Sequence, residues 1–419
     1  MLDAQPSPKV SVLLFTYNGS RYIEASLDSI LKQNYKNFDI SIIDDGSADE
    51  TVSIIQRIST TTSKIDLEIN PTNRGAGYCY SRLLEKAPGE LVACIGQDDL
   101  WDPNYLSRCA EALADSRVAA CVCSPQIIDS DGNPSQESPF RFDAAKMLSH
   151  EDLACALLKE NFLCASGIVF RSKDVRGWNT HGDNDQLQDW NTWQHLILKG
   201  PFRFISEKLV SYRVHSSNLS LNRRSIPLIH IEQTHSRIAM ILEESFSRFI
   251  LKSQNPDHLF YNFIRSYVEA IDSTNRSQHH FLLFALRKNE SQLRDLPSYR
   301  AIMEILFIYA GSFTKAKRYS VVSEKSGAIL QLFRKSFEWR YMIMLVHSQL
   351  EIKPSAYIKT KKIGPLLLCK SLSPKKYLFP LTFRIDFKEK NTERLLEAHY
   401  LYWSQPIKRK ISILLRAMV

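Results

Sequence analysis

The sequence has no hydrophobic run that could cross a membrane and no cysteine framework. No segment reaches the roughly 18 consecutive apolar residues of a spanning helix, and Met1 to Pro8 is too short and polar for a secretory leader. The eight cysteines show no paired spacing, and Cys121-x-Cys123 lacks the second half of a zinc site. We therefore expect most cysteines to be buried free thiols in a cytoplasmic protein.

A glycine-rich dinucleotide fingerprint is also missing. The first predicted strand, Val10 to Phe15, continues into Thr16-Tyr17-Asn18-Gly19 and not into Gly-x-Gly-x-x-Gly. This difference argues against a dinucleotide-dependent oxidoreductase. A hydrophobic content of 44% with 24% charged residues excludes a disordered chain.

The first hundred residues alternate between predicted strands and predicted helices. Apolar runs at 10–15, 38–43 and 91–95 predict buried strands, and a weaker run at 67–69 predicts one more. Helical spacing predicts helices at about 21–33, up to 58 and at 78–86. This alternation favours an α/β fold with a doubly wound, mostly parallel sheet flanked by helices.

Two adjacent carboxylates follow the predicted strand at 91–95. They lie in the stretch Gly96-Gln97-Asp98-Asp99-Leu100-Trp101-Asp102-Pro103. Carboxylate oxygens at the carboxyl end of a strand suit Mg²⁺ or Mn²⁺, with positions left open for substrate phosphates. The plainer interpretation is an Asp-rich turn before a helix that begins near Pro103.

Four motifs in order resemble the nucleotide-diphospho-sugar transferases of glycosyltransferase family 2, which have the GT-A fold. They are the strand and loop from Val10 to Asn18, Asp44-Asp45-Gly46-Ser47 with Asp49 and Thr51, Asn73-Arg74-Gly75 with Gly77, and Gln97-Asp98-Asp99. The resemblance covers roughly residues 8 to 220. The Gln-Asp-Asp-Leu-Trp-Asp-Pro segment looks most like the rhamnosyltransferase-like subgroup of bacterial surface polysaccharide synthesis.

The resemblance implies contacts to a nucleotide sugar. Asp45 would accept a hydrogen bond from a base N–H, and Asp98 would contact the ribose. Asp99 would bind a divalent metal (Mn²⁺ or Mg²⁺), although Gln97 stands where the strict Asp-x-Asp form has a carboxylate. The implied contacts to base, ribose and diphosphate comprise Thr16, Tyr17, Asn18, Asp45, Arg74, Gly75, Asp98 and Arg213.

An inverting transferase also needs a general base for the acceptor hydroxyl. Within 183–190, Gln188-Asp189-Trp190 resembles the family's acidic pair best, so Asp189 is the candidate base. Asp183 and Asp185 are interpreted as loop or helix-start acids. The alternative is that all three carboxylates only complement a helix dipole.

The segment from Leu209 to Ser220 resembles the Tyr-Arg-x-His motif that closes the catalytic domain in many relatives. Arg213 and His215 alternate with apolar residues, so on an extended segment they would share one side. That side could meet the diphosphate. Arg213 would pair with phosphate oxygens, and His215 would complete the metal ligands or contact a phosphate.

The family resemblance, the residue pattern and the charge together predict three regions: a GT-A catalytic domain at 1–224, a helical domain at 225–352 and a basic tail at 353–419. The nucleotide-sugar half would span about 8–120 and the acceptor half about 121–224. The chain has a net charge of +9, and its excess of basic residues lies in the second half. The tail suits an anionic membrane surface, or its last helix packs on its own domain.

These features predict an inverting, metal-dependent transferase of a UDP- or dTDP-linked sugar. The acceptor would be a glycan or lipid-linked glycan hydroxyl, with the protein peripheral at the inner face of the membrane. The alternative is a non-catalytic protein that binds nucleotide sugars, or nucleic acid through its tail. Carboxylates at 99 and 189 favour catalysis, because binding alone needs no base.

Overall fold

The computed structural model describes residues 7–135, 138, 140–178, 187–218, 233, 236–270, 282, 285–286 and 288–299. Residues up to Phe246 belong to one compact unit, and a second unit begins at Ser247. The predicted domain boundaries at 224 and 352 lie outside the described residues, as does the whole basic tail. The three-region division therefore stays a prediction.

One mixed sheet of eight strands organises the first unit, in the order β3-β2-β1-β4-β7-β6-β8-β5. The strands are β1 (Val10–Thr16), β2 (Phe38–Asp44), β3 (Ile65–Ile69), β4 (Leu91–Cys94), β5 (Leu100–Trp101), β6 (Ala120–Ile128), β7 (Ile168–Arg171) and β8 (Phe202–Arg213). The helices that accompany them are α1 (Ile23–Leu31), α2 (Thr51–Ser59), α3 (Ala76–Lys86), α4 (Tyr105–Ala112), α5 (Phe142–Lys146), α6 (His150–Leu157) and α7 (Gln188–Ile197).

The first four strands are parallel, as the alternation of apolar strands and amphipathic helices predicts. β1 pairs with β2 on one side and with β4 on the other, and β2 pairs with β3. Apolar residues at helical spacing bury one face of α1, namely Ile23, Leu27 and Ile30. The carboxyl ends of these strands therefore meet at one edge of the sheet.

The second half of the sheet is mixed. β7 runs antiparallel to β4 and β6, β8 runs parallel to β6, and β5 runs antiparallel to β8. The alternation of strands and helices in the first hundred residues does not predict how these strands pair. Their pairing places the end of β8 beside the segment that follows β4, which matters for the candidate site.

Most described residues from 244 onward are helical, as apolar residues at helical spacing predict, among them the stripe of Leu259, Phe260, Phe263, Ile264 and Tyr267. The helices are α8 (Glu244–Lys252), α9 (Pro256–Ala270) and α10 (Glu290–Leu293). The predicted stripe lies in α9 and is buried. In the part of the chain that the structure describes, no helix combines the length and apolarity needed to cross a membrane.

The seven described cysteines are free and buried, which confirms the expectation of buried thiols: Cys79, Cys94, Cys109, Cys121, Cys123, Cys155 and Cys164. Cys369 lies outside the described residues. Burial lets such residues act as small apolar side chains in the core.

Candidate active site

The loops that follow β1, β2 and β4 form a continuous hydrogen-bonded edge. Thr16 at the end of β1 lies opposite Asp44 at the end of β2. The Thr16 hydroxyl donates to Gln97 Oε1 at 2.5 Å, so the loop after β4 joins the same edge. In open α/β sheets this edge is where ligands bind.

Gln97 fastens the loop after β1 to the loop after β4. Its Oε1 accepts from the Tyr17 amide at 2.9 Å, and its Nε2 donates to the Tyr17 carbonyl at 3.3 Å. A carboxylate could accept the first bond but could not donate the second. The glutamine that stands in place of the carboxylate of the strict motif therefore links the loop after β1 to the loop after β4.

A Gln97→Glu substitution is expected to weaken this edge. The new carboxylate would face the Tyr17 carbonyl and would add negative charge beside Asp98, at a cost of about 1–3 kcal/mol in the free energy of unfolding. Urea denaturation would measure the loss, with Gln56→Glu on the exposed face of α2 as the matched control. Equal stability of the two variants would contradict the linking role.

The loop after β1 also binds the loop after β2. Asn18, at a positive φ of 47°, accepts from the Ala48 amide at 2.9 Å, while its own amide donates to Ser47 Oγ at 2.9 Å. Burial of Asp49 opposes its ionisation, but hydrogen bonds from Thr51 and Ser20 outweigh it and lower the pKa of Asp49 to about 2. Asp49 is therefore a fixed anion that anchors both loops.

Asp45 is buried and organises the glycine-bearing loop. Its Oδ1 accepts from the Asn70 side chain and the Arg74 amide, and its Oδ2 accepts from the Gly75 amide, each at 2.8 Å. Gly75 has a φ of 94°, in the region that favours glycine. The Arg74 guanidinium lies over the Tyr78 ring, 3.5 Å from its centroid.

Asp99 is 2% exposed and is bonded through both oxygens. Oδ1 accepts from the Arg213 amide at 2.9 Å, and Oδ2 accepts from the Ser166 hydroxyl. Burial, followed by the negative charge of Asp98, raises the pKa of Asp99 to about 7. A buried carboxylate next to a second carboxylate is an environment that a cation would stabilise.

Asp98 is more accessible and pairs with the segment after β8. His215 Nε2 lies 2.8 Å from Asp98 Oδ2, and the Asn218 side-chain amide donates to the same oxygen at 3.1 Å. The His215 ring stacks on Tyr22 with centroids 5.0 Å apart. β8 ends at Arg213, so His215 lies beyond the strand and reaches Asp98, not Asp99.

The Arg213 guanidinium is buried and bonds the backbone. Nε donates to the Asp98 carbonyl at 2.8 Å, and Nη1 donates to the carbonyls of Asp129 and Ser130 at 3.2 and 3.3 Å. In this conformation the side chain holds the loop between β4 and β5. A phosphate contact by Arg213 stays a prediction.

Asp98, Asp99 and His215 are side chains of the types that bind a divalent metal, although His215 contacts Asp98 and not Asp99. Carboxylates and an imidazole supply the oxygen and nitrogen ligands that such ions use, and a positive ion would offset the burial and the charge of Asp98 that together raise the pKa of Asp99. Gly96 makes the close approach possible: a Cβ there would lie 2.8 Å from Asp98 Oδ1 and 3.0 Å from Asp99 Oδ2.

Asp189 lies in the first turn of α7, next to the same edge. The Asn161 side-chain amide donates to its Oδ2 at 2.8 Å, and the Trp190 amide donates to its Oδ1 at 2.7 Å. Burial, then the charges of Asp99 and Asp189, raise the pKa of the Cys164 thiol.

The segment from Asn161 to Gly167 joins the two acidic centres. Asn161 bonds Asp189, and Ser166 bonds Asp99 while accepting from the Gly96 amide at 3.0 Å. Asn218 is a third residue that the motifs did not identify. Its position three residues after His215 was the one available signal.

The predicted Asp183 and Asp185 lie outside the described residues. The remaining predicted residues are all among the described residues: Thr16, Tyr17, Asn18, Asp45, Arg74, Gly75, Asp98, Asp99, Asp189, Arg213 and His215. Their roles as ligands stay predictions.

Comparison with known proteins identifies the part of the chain that carries this edge. The family model described as glycosyl transferase family 2 matches residues 11–205. A putative teichuronic acid biosynthesis glycosyltransferase, TuaG of Bacillus subtilis, is 27% identical over 217 residues, which is 52% of this chain and 83% of TuaG. The chondroitin synthase of Escherichia coli is 26% identical over 250 residues, 58% of this chain and 34% of the synthase.

Among solved structures, S. aureus TarS 1–349 in complex with UDP-GlcNAc has a TM-score of 0.48 and 15% identity, covering 78% of this chain and 92% of that one. The family match spans β1 to the middle of β8 and includes the Asp44-Asp45, Gln97-Asp98-Asp99 and Asp189 segments. Residues 11–205 therefore match the glycosyl transferase family 2 model.

Proposed function

We propose that the protein transfers a sugar, with inversion, from a UDP- or dTDP-linked donor to the hydroxyl of a glycan or lipid-linked glycan. The observation that carries the proposal is that one short segment bonds both acidic centres: Asn161 donates to Asp189, and Ser166 donates to Asp99, whose neighbour Asp98 pairs with His215. A nucleotide-binding protein without catalysis would need Asp98, Asp99 and His215 but not a carboxylate near the acceptor.

The donor nucleotide would lie along the loops after β1 and β2. Asp45, held by three donors of the protein, keeps a lone pair of Oδ2 for a base N–H. Thr16, Tyr17 and Asn18 line the adjoining loop. The Tyr17 side chain is 45% exposed, so the nucleotide base would be able to stack on it. Arg74 and Gly75 follow on the same edge, and Asp98 is assigned to the ribose.

Asp99 and His215 would hold the divalent metal, with Ser166 orienting Asp99 and with Asp98 orienting His215. When bound, the ion would neutralise negative charge on the diphosphate leaving group. Asp99 is the assigned metal carboxylate, and its buried position excludes water from one side of the site.

Asp189 would take the proton of the acceptor hydroxyl as that oxygen attacks the anomeric carbon. The carbon–oxygen bond to the acceptor forms while the bond to the diphosphate breaks, and the proton passes to Asp189. The Asn161 amide fixes one carboxylate oxygen, and the Trp190 amide fixes the other. These bonds would keep a lone pair directed at the acceptor.

Surface polysaccharide synthesis is the proposed setting. The names of TuaG and chondroitin synthase describe enzymes of polysaccharide synthesis, and at 27% and 26% identity they support this class of acceptor. Buried reduced thiols favour the cytoplasm. Attachment of the basic tail to the inner face of the membrane is part of the proposal.

A thermal-shift panel of UDP, dTDP, GDP and CMP, each with Mn²⁺, Mg²⁺ or chelator, tests the donor class. A nucleotide at 100 times its dissociation constant is expected to add about 2.7 kcal/mol to the free energy of unfolding, and only with metal. Asp99→Ala should lose the metal-dependent part of the shift, whereas Asp131→Ala, on the exposed loop after β6, should keep it. A folded sample that shows no shift with any nucleotide would contradict the proposal.

A further inference from the structure

Three cysteine thiols meet between α4 and β6. Cys121 and Cys123 lie two residues apart on β6, so they project from the same face of the strand. Cys109 lies on α4, which packs on that face. The three sulfur atoms lie within 4.8 Å of one another, and Cys109 Sγ is 3.5 Å from Cys123 Sγ.

The three thiols form a distinct cluster of potential metal ligands. Within the described ranges, these are the only three His, Cys, Asp or Glu side chains whose ligand atoms all lie within 4.8 Å of one another. All three are fully buried in the core. The sequence motif Cys121-x-Cys123 lacked a second half, and the fold supplies Cys109 from a different element.

A buried hydroxyl belongs to the helix that carries Cys109. Tyr105 precedes Cys109 by one helical turn, on the same face of α4. Its hydroxyl is fully buried and has no hydrogen-bond partner among the described residues. Burial, followed by the neighbouring thiols of Cys109 and Cys123, raises the pKa of Tyr105. A buried oxygen of this kind needs a partner, and the sulfur cluster is where a partner could lie.

We propose that Cys109, Cys121 and Cys123 bind Zn²⁺, with the Tyr105 hydroxyl oxygen as a fourth ligand. Thiolates are ligands for thiophilic ions such as Zn²⁺, which prefers four ligands in a tetrahedron. A dication also suits an apolar core because it compensates the charge of the thiolates. As each Zn–S bond forms, an S–H bond breaks and its proton passes to solvent.

The site is distinct from the candidate active site and uses none of its residues. Because the thiols are fully buried, the ion would enter while α4 and β6 assemble. It would then fasten the helix that follows β5 to a central strand of the second half of the sheet. The expected role is structural, and it does not depend on the proposed sugar transfer.

Production of the full chain in minimal medium with Co²⁺ in place of Zn²⁺ tests the inference. We expect one more ion per chain than in Cys121→Ala by elemental analysis, a thiolate-to-cobalt charge-transfer band in the near ultraviolet, and the intense visible bands of tetrahedral Co²⁺. Cys121→Ala and Cys123→Ala should remove the thiolate band. Cys155→Ala, which removes another buried thiol on α6, should keep it.

The spectrum of the wild-type protein is enough to overturn the inference, so the test does not depend on whether the cysteine variants fold. Folded wild-type protein without the thiolate band would contradict the site, even if cobalt is bound, because carboxylate and imidazole ligands give no such band. An intact mass lower by a pair of hydrogen atoms would identify a disulfide in place of a metal site.

Discussion

Asp189→Asn is expected to lower kcat by about 10²- to 10⁴-fold, the usual contribution of a general base. The amide keeps an oxygen that can accept from Asn161 or Trp190, so the first turn of α7 should keep its geometry. It cannot accept a proton from the acceptor hydroxyl. Nucleotide and metal affinity should therefore stay at the wild-type value while turnover falls.

Steady-state kinetics with the donor identified by the thermal-shift panel would measure this effect, with nucleotide affinity measured separately. In wild-type protein kcat should decrease at low pH as the base is protonated, and this limb should vanish in the variant. Asp152→Asn is the matched control, because Asp152 is an exposed acid in the first turn of α6. Near-normal turnover of folded Asp189→Asn would rule out Asp189 as the base.

Local sequence patterns predicted the parallel half of the fold well. The strand predicted at 38–43 is β2 (Phe38–Asp44), and the weak strand predicted at 67–69 is β3 (Ile65–Ile69). Hydrophobic period and turn residues are local properties, so one sequence is enough to detect them. The antiparallel pairing of β7 with β4 joins segments about 80 residues apart, and no local pattern encodes it.

The site residues likewise divide into those that local sequence patterns predict and those that they do not. Asp45, Asp98 and Asp99 follow strands directly, so the rule for strand ends places them together. Ser166 and Asn161 contact the acidic centres through a loop whose path depends on β7 and α6. The alternation of Arg213 and His215 predicted a shared face, but β8 ends at Arg213, whose guanidinium turns to backbone carbonyls while His215 turns to Asp98.

Asp99→Asn is expected to lower kcat/KM by about 10²- to 10³-fold, the range for losing one fixed charge-stabilising group in a buried site. The Asn oxygen can still accept from the Arg213 amide, so the fold should persist. The loss should appear as a weaker response of activity and thermal stability to Mn²⁺ or Mg²⁺. Asp131→Asn, on the exposed loop after β6, is the matched control.

The same substitution should change the pH dependence of stability in chelator. The pKa of Asp99 is raised from 3.8 to about 7, by burial and then by Asp98, so between these values the folded protein binds more protons than the unfolded chain. The stability contributed by Asp99 is therefore complete below the lower value and is lost as pH rises through the higher one. Urea denaturation across this range should show that component in wild-type and Asp131→Asn protein, and its absence in Asp99→Asn. Metal should also remove this pH-dependent component from wild-type protein, because a bound cation stabilises the ionised carboxylate. An unchanged pH slope in Asp99→Asn would show that the buried carboxylate is not the group that titrates.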